Sequence, residues 1–564
     1  MVLWKKVFSF FAVAAAVTMF SSPGIAADKR DVIAANGVVA SAHPAASQIG
    51  VEVLKNGGNA FDAAIATAFA IHVVEPNASG IGGGGFAILY DAKQKKSFVI
   101  DFRERAPGAA HETFYKLDEK GKVLNQAMSI GWYAAGVPGQ VAGMEALHKQ
   151  FATRKWADLM APSIKLLDDG VTVNNTLHSM IMNYMDRMDK SPTKAFFDKT
   201  FFKDGLPLEE GAKYHNPDLA ASFKLIAKEG AKAFYTGAIA DKIAAAYAKN
   251  ANAWITKKDL ADYKVAMREP VQGTYRKDYQ VVALPPPSSG GLTVIEMLNI
   301  LEKFDLRKMG YASPDSVHAV IEAQKLAFAD RGKYMGDPDH VTVPIKDLAD
   351  KKFAAERAKL IKMDSAITGA EPGALLKDLK GNTTSFSIID KAGNMITVTQ
   401  TINDFFGAVT VPDGTGILMN DEMADFTAKP GQANSVKAGK RPLSSMSPVL
   451  VFKSGKPLMT MGSPGGPRII TAVANIILNV VDYDMNLQAA IEAPRYHNPN
   501  SAKTAMEARW SEELRKALTD KGQTLDMRKD VDLYFGGAQG VMIMPDGKLH
   551  GGADFRRGGQ AAGY

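Results

Sequence analysis

Asn382-Thr383-Thr384-Ser385-Phe386-Ser387-Ile388-Ile389-Asp390, then Lys391-Ala392-Gly393-Asn394, then Met395 to Thr401, is the stretch on which the fold turns. From Thr384 to Asp390, β-branched and aromatic residues alternate with small polar ones, which predicts a strand. Lys391 to Asn394 predicts a hairpin turn, and Met395 to Thr401 the returning strand. A hairpin sets the start of one strand beside the end of the next, so Thr383 and Thr401 become neighbours. The segment before it, Asp347 to Lys380, is polar and helix-prone and ends in Lys380-Gly381-Asn382.

A threonine hydroxyl is a weak nucleophile until a base takes its proton, and a chain-terminal threonine carries such a base in its own α-amine. An internal threonine reaches that state only by cleavage of the chain before it. A polar linker running into a strand is a suitable place for that cleavage, although a Thr-Thr pair alone is ordinary strand composition. The surroundings add chemistry. Ile402-Asn403 follow Thr401, Asn420-Asp421-Glu422-Met423-Ala424-Asp425-Phe426 offers acids, and Arg441-Pro442-Leu443-Ser444-Ser445-Met446-Ser447-Pro448 offers hydroxyls. Gly462-Ser463-Pro464-Gly465-Gly466-Pro467-Arg468 precedes an apolar helix over 469–480. Amides at such a glycine-lined helix start can hold an oxyanion.

Further out, 37–40 reads as a short strand and 45–55 as a helix stopped by Asn56-Gly57-Gly58. A second apolar helix covers 60–73 and ends before Pro76. Ser79-Gly80-Ile81-Gly82-Gly83-Gly84-Gly85-Phe86 then feeds a strand at 87–90, with a hairpin partner at 97–103. The glycine run is no phosphate loop, because no Gly-Lys-Ser/Thr follows it. Residues 140–350 read as mostly helical, and 447–453 with 457–462 as another strand pair. Strand pairs interleaved with helices in both halves imply layered α and β structure.

Residues 1–27 read as a signal peptide, from Lys5-Lys6, an apolar run over 7–20 and the small residues Gly24-Ile25-Ala26-Ala27. An exported, periplasmic or secreted protein is expected. The chain has 564 residues and no cysteine, which excludes disulfides, thiolate catalysis and cysteine metal sites. Its 67 basic and 60 acidic residues are intermixed, so nucleic-acid binding has no support.

The motifs at 79–86, Asp101-Phe102-Arg103-Glu104, Pro286-Pro287-Ser288-Ser289-Gly290-Gly291, Ala327-Phe328-Ala329-Asp330-Arg331, Gly336-Asp337-Pro338-Asp339, 441–448, 462–466 and the terminal Gly563-Tyr564 resemble gamma-glutamyltransferase sequences, in order and spacing from about Val38 to Tyr564. The resemblance implies an N-terminal nucleophile hydrolase, an α+β fold in a four-layer αββα sandwich. It implies autocatalytic cleavage between Asn382 and Thr383 into a large subunit, 28–382, and a small catalytic one, 383–564, which stay associated as a heterodimer. Thr383 would be the nucleophile, Thr401 its hydrogen-bond partner, and the Gly465 and Gly466 amides the oxyanion hole. Arg103, Ser444 and Ser445 would bind the glutamyl carboxylate, and Asn403, Glu422 and Asp425 the ammonium. Glutathione or another γ-glutamyl compound would be the donor, with water, an amino acid or a dipeptide as acceptor, and no metal or cofactor. Two departures stand out: Ser385, where many relatives have His or Gln, and a short 431–440 segment, which implies a more open pocket. An acylase of the same superfamily, cleaving glutaryl side chains from β-lactams, needs no ammonium site. An unprocessed periplasmic binding protein would need no nucleophile.

Overall fold

In the computed structural model residues 30–371 and 382–564 are described; the expected signal peptide and the 372–381 stretch before Asn382 lie outside them. The decisive hairpin forms as read, two residues longer at its open end. Fourteen strands make the two main sheets. In chain order they are β1 (Val32–Ala34), β2 (Gly37–Ser41), β3 (Gly84–Asp91), β4 (Lys96–Phe102), β5 (Ala266–Arg268), β6 (Val271–Tyr275), β7 (Tyr279–Ala283), β8 (Asn382–Asp390), β9 (Met395–Asn403), β10 (Val449–Lys453), β11 (Lys456–Gly462), β12 (Gln539–Ile543), β13 (Leu549–Ala553) and β14 (Gln560–Gly563). The β8–β9 turn is closed by Asp390, whose carboxylate accepts from the amides of Ala392 and Asn394 and from the Asn394 side chain. Gly393 there takes φ 84°, open to glycine without strain.

One sheet runs β14-β2-β8-β9-β3-β4-β5 and the other β1-β13-β12-β11-β10-β7-β6. Every neighbouring pair is antiparallel. The helices α1 (Pro44–Lys55) and α2 (Ala60–Val74) cover the first sheet, and α3 (Gly290–Leu301) and α5 (Arg468–Val481) the second, with α4 (Pro314–Tyr334) packed outside α3. This is the expected α+β fold, helix–sheet–sheet–helix. α2 is buried along its whole length, so its sequence is apolar on all sides, and Asn59 with Asp62 form a capping box at its start.

The period-two pattern of the hairpin sorts its side chains. Phe386, Ile388, Ile396 and Val398 join the core under α1 and α2. Ser385, Ser387, Thr397 and Thr399 point between the sheets, where Ser385 bonds Thr399 at 3.1 Å and Ser387 bonds Thr397 at 2.8 Å. Thr397 also meets Thr460 of β11, and Ser387 donates to the Gln539 carbonyl of β12 at 3.0 Å. The sheets therefore meet here through a ladder of hydroxyls. Gly462 makes room for it, since a Cβ there would lie 2.2 Å from the Ser385 hydroxyl.

The helical reading of 140–350 is too simple. β5, β6 and β7 lie within it, on the rims of the two sheets. β6 and β7 are joined through Arg276 and Lys277, both at positive φ, a tight turn without the usual Asn-Gly signature. Among the described residues no helix is long and apolar enough to cross a membrane.

Candidate active site

A bulge decides the surroundings of Thr383. Asn382 stands opposite Asn403 and Thr384 opposite Gln400, so Thr401 and Ile402 together face the single residue Thr383. Asn403 turns to φ 71°, donates its amide to the Thr401 hydroxyl at 2.8 Å, and donates its side-chain amide to the Asp421 carbonyl at 3.1 Å. The Thr383 carbonyl accepts from Arg557 at 3.0 Å. Thr384 faces the opposite side of the sheet and donates to Glu75 at 2.7 Å. Burial pushes the Glu75 carboxyl up from its ordinary pKa, against the pull of Thr384 and Arg557. The glycine run passes directly behind the bulge, because a Cβ on Gly83 would sit 1.9 Å from the Thr401 carbonyl oxygen.

Across the cleft, β11 is followed by Ser463-Pro464-Gly465-Gly466, and α5 begins at Arg468. Gly465 takes φ 129° and Gly466 φ 56°. Among the described residues neither amide donates to a protein acceptor, as a site for a ligand oxygen requires. Gly466 lines the cleft; Gly465 precedes it, and a Cβ there would come within 3.2 Å of Gly536.

Arg103 follows β4 and is 1% exposed. Its guanidinium contacts Glu422 and bonds Asp425 at 2.5 Å and the Leu443 carbonyl at 3.2 Å. Sequence reasoning set Arg103 apart from the two acids as opposite ends of a substrate site; they are in fact directly paired. These anions hold the Arg103 pKa above its ordinary value, despite burial. Burial raises Glu422 well above the usual carboxylate range, with Arg103 opposing that shift. Glu104, fully buried beside them, is pushed up to about 7 for the same reason. The turn carrying the acids is pinned by Asn420, which accepts from the Glu422 amide and donates to the Gly82 and Gly136 carbonyls.

Ser444 and Ser445 are held from the other sheet's helices. The Ser444 carbonyl accepts from both the amide and the hydroxyl of Ser289, and Arg331 donates to the Ser445 hydroxyl at 2.8 Å. Asp337 accepts the Arg441 amide, and Asp339 pairs with Arg268 and Arg441, so these acids fix the loop and stand away from the cleft. The short 431–440 segment is also tied down, with Lys440 donating to the Ala433 and Ser435 carbonyls and Asn434 to that of Asp425.

The result is one cleft lined by Arg103, Thr383, Thr401, Asn403, Glu422, Asp425, Ser444, Ser445, Met446, Gly466, Pro467 and Ile469. Every candidate side chain named from the sequence reaches it, apart from Asn382, whose side chain lies outside the described set. Sequence reasoning gave no role to Arg331, Ser289, Glu75 or Arg557. Arg331 and Ser289 stood inside quoted motifs, but only the fold brings them to residue 445.

Residues 46–564 match the model of the gamma-glutamyltranspeptidase family. The chain belongs to this family. It is accordingly an enzyme of acyl transfer and hydrolysis. It is 41% identical to the glutathione hydrolase proenzyme of Pseudomonas sp. (strain A14), over 96% of each chain. With the glutathione hydrolase proenzyme of Escherichia coli (strain K12) identity is 40%, over 93% of this chain and 91% of the relative. Among solved structures, cephalosporin acylase from Bacillus halodurans superposes with TM-score 0.86 at 30% identity, covering 97% of this chain and 99% of the other. Family membership excludes a binding protein without catalysis.

Proposed function

We propose that this family member is a glutathione hydrolase and γ-glutamyltransferase that matures by its own cleavage between Asn382 and Thr383. The convergence of Thr383, Thr401, the Gly466 corner and the Arg103–Glu422–Asp425 cluster on one cleft carries this reading. In maturation the Thr383 hydroxyl adds to the Asn382 carbonyl, the acyl group passes from nitrogen to oxygen, and water hydrolyses the ester. The products are a large chain, 28–382, and a small one, 383–564, with a free Thr383 amine. They remain a heterodimer because β2 and β3 of the large chain pair with β8, β9 and β14 of the small one.

In turnover that amine takes the Thr383 hydroxyl proton and the oxygen attacks the donor's γ-carbonyl; the tetrahedral oxyanion then collapses, the amide C–N bond breaks, and the departing amine takes the proton back from the Thr383 ammonium. Thr401 orients the nucleophile, and the Gly465 and Gly466 amides stabilise the oxyanion, one such donor being worth about 3–4 kcal/mol. The glutamyl ester then passes to water or to the amine of an amino acid or dipeptide. The donor's zwitterion enters the paired charges: its carboxylate meets Arg103, Ser444 and Ser445, and its ammonium meets Asn403, Glu422 and Asp425. We assign the work to an exported, periplasmic or secreted protein, from the leader read over 1–27.

The likeness to cephalosporin acylase favours glutaryl-β-lactam cleavage as the second reading. Two acids on Arg103 favour a donor bearing an ammonium. Denaturing gels and leaving-group release from matched γ-glutamyl and glutaryl anilides test both points. Two fragments and faster γ-glutamyl turnover are expected; Thr383→Ala should give one full-length band without turnover. Faster glutaryl cleavage overturns the substrate, and two fragments from Thr383→Ala overturn the nucleophile.

A further inference from the structure

Arg331 ends the Ala-Phe-Ala-Asp-Arg stretch of α4 and is 1% exposed. A buried guanidinium ordinarily has a carboxylate partner, because its desolvation is expensive. Arg331 has none within ion-pairing distance among the described residues. Its Nε donates to the Ser289 hydroxyl at 2.6 Å and its Nη2 to the Ser445 hydroxyl at 2.8 Å. The Phe328 ring also lies near its charge, at 5.8 Å. Burial lowers its pKa to about 10, which still leaves it charged at neutral pH, and Asp425 is the one anion that opposes the shift.

The hydroxyl geometry says what this cation faces. A serine hydroxyl has one hydrogen to give and two lone pairs to receive with. Ser445 Oγ receives from Arg331, and Ser444 Oγ receives from the Met446 amide at 3.1 Å. Neither hydroxyl donates to a protein acceptor among the described residues, and both serines line the cleft. Two hydroxyls that each already accept one hydrogen bond and still have their hydrogen to give are set to donate, and their matching ligand is an anion. Arg103 is meanwhile held by two acids of its own. The uncompensated positive charge on this side of the cleft is therefore that of Arg331.

We propose that Arg331 is a positioning residue for the donor's α-carboxylate. It fixes Ser445 as a hydrogen donor and places a positive charge behind it, with Ser289 anchoring the other arm of the fork to the Ser444 carbonyl. The assignment rests on reading the cleft as a γ-glutamyl site. It predicts that the enzyme's preference for a free α-carboxylate comes largely from a residue that does not line the cleft.

The test compares a γ-glutamyl anilide bearing a free α-carboxylate with the same anilide bearing an α-carboxamide. For Arg331→Gln the preference for the carboxylate donor should shrink about ten- to a hundredfold, the range for hydrogen bonds involving charge. The loss should appear in KM more than in kcat, with a much smaller loss for the carboxamide donor. Arg331→Lys keeps the charge but cannot span both hydroxyls, so an intermediate preference is expected. Equal losses with both donors would mark Arg331 as merely structural and overturn the inference. If wild type turns over the donors without preferring the carboxylate, or turns over neither, the γ-glutamyl reading itself falls. A wild-type preference that survives intact in Arg331→Gln overturns this inference alone. Should Arg331→Gln fail to fold or mature, Arg331→Lys and Ser289→Ala carry the comparison, and an unchanged preference in both overturns it equally.

Discussion

Replacing Thr384 by valine separates the two threonines of the cleavage strand. Thr384 is 1% exposed, faces α2 rather than the cleft, and gives its hydroxyl to Glu75 at 2.7 Å. Valine keeps the shape and removes the donor. Glu75 is buried, so the lost bond is to a group with a desolvation penalty already visible in its raised pKa. A hydrogen bond of that kind is worth about 1.5–3 kcal/mol, and Arg557 still draws on the same carboxylate, so a destabilisation of about 2 kcal/mol is expected. Cleavage and turnover should survive, because the Thr383 hydroxyl, its carbonyl clamp from Arg557 and the bulge at Thr401 stay in place. Urea unfolding measures the first effect, while a denaturing gel with N-terminal sequencing of the small fragment measures the second. A Thr384→Val protein that stays full length, or a wild-type fragment that begins at residue 384, would refute the assignment of the nucleophile.

Gly83→Ala drives a Cβ into the Thr401 carbonyl at 1.9 Å; a loss of about 1–3 kcal/mol, typical of overpacking, is expected in urea titrations together with slowed maturation. Glu104 binds its proton up to about pH 7 when folded but only to 4.5 when unfolded. Between those values the native state holds more protons, so stability falls as pH rises, by about 3 kcal/mol across the window. Glu104→Gln should flatten that slope in urea titrations at pH 4.5, 5.5 and 7, and an unchanged slope would rule the carboxyl out as its source.

The local pattern of the hairpin was legible because each strand has one face on the α2 core and one between the sheets. Helices at 44–55, 60–74 and 468–481 were legible from apolar runs with clear stops. Sheet order was not, since β14 pairs with β2 across more than five hundred residues and nothing local encodes that partner. β6 and β7 escaped notice because Arg276-Lys277 is an atypical turn. At the site, the side chains that line the cleft were legible through their chemistry and motif resemblance. Arg331, Arg557 and Glu75 act through another residue, and only folding reveals which. The direct pairing of Arg103 with Glu422 and Asp425 was hidden for the same reason.

The hydroxyl ladder between the sheets has a mechanical consequence. Apolar layers can slip past one another at little energetic penalty, whereas hydroxyl bonds are directional and fail when displaced by an ångström. β8 carries the proposed nucleophile as its second residue, and β11 runs straight into the Gly465-Gly466 corner, so on that reading the attacking oxygen and the oxyanion-binding amides stand on different sheets. Ser387, Thr397 and Thr460 thus act as dowels between two plates, holding the two halves of the reaction centre in alignment after the chain that joins them is cut.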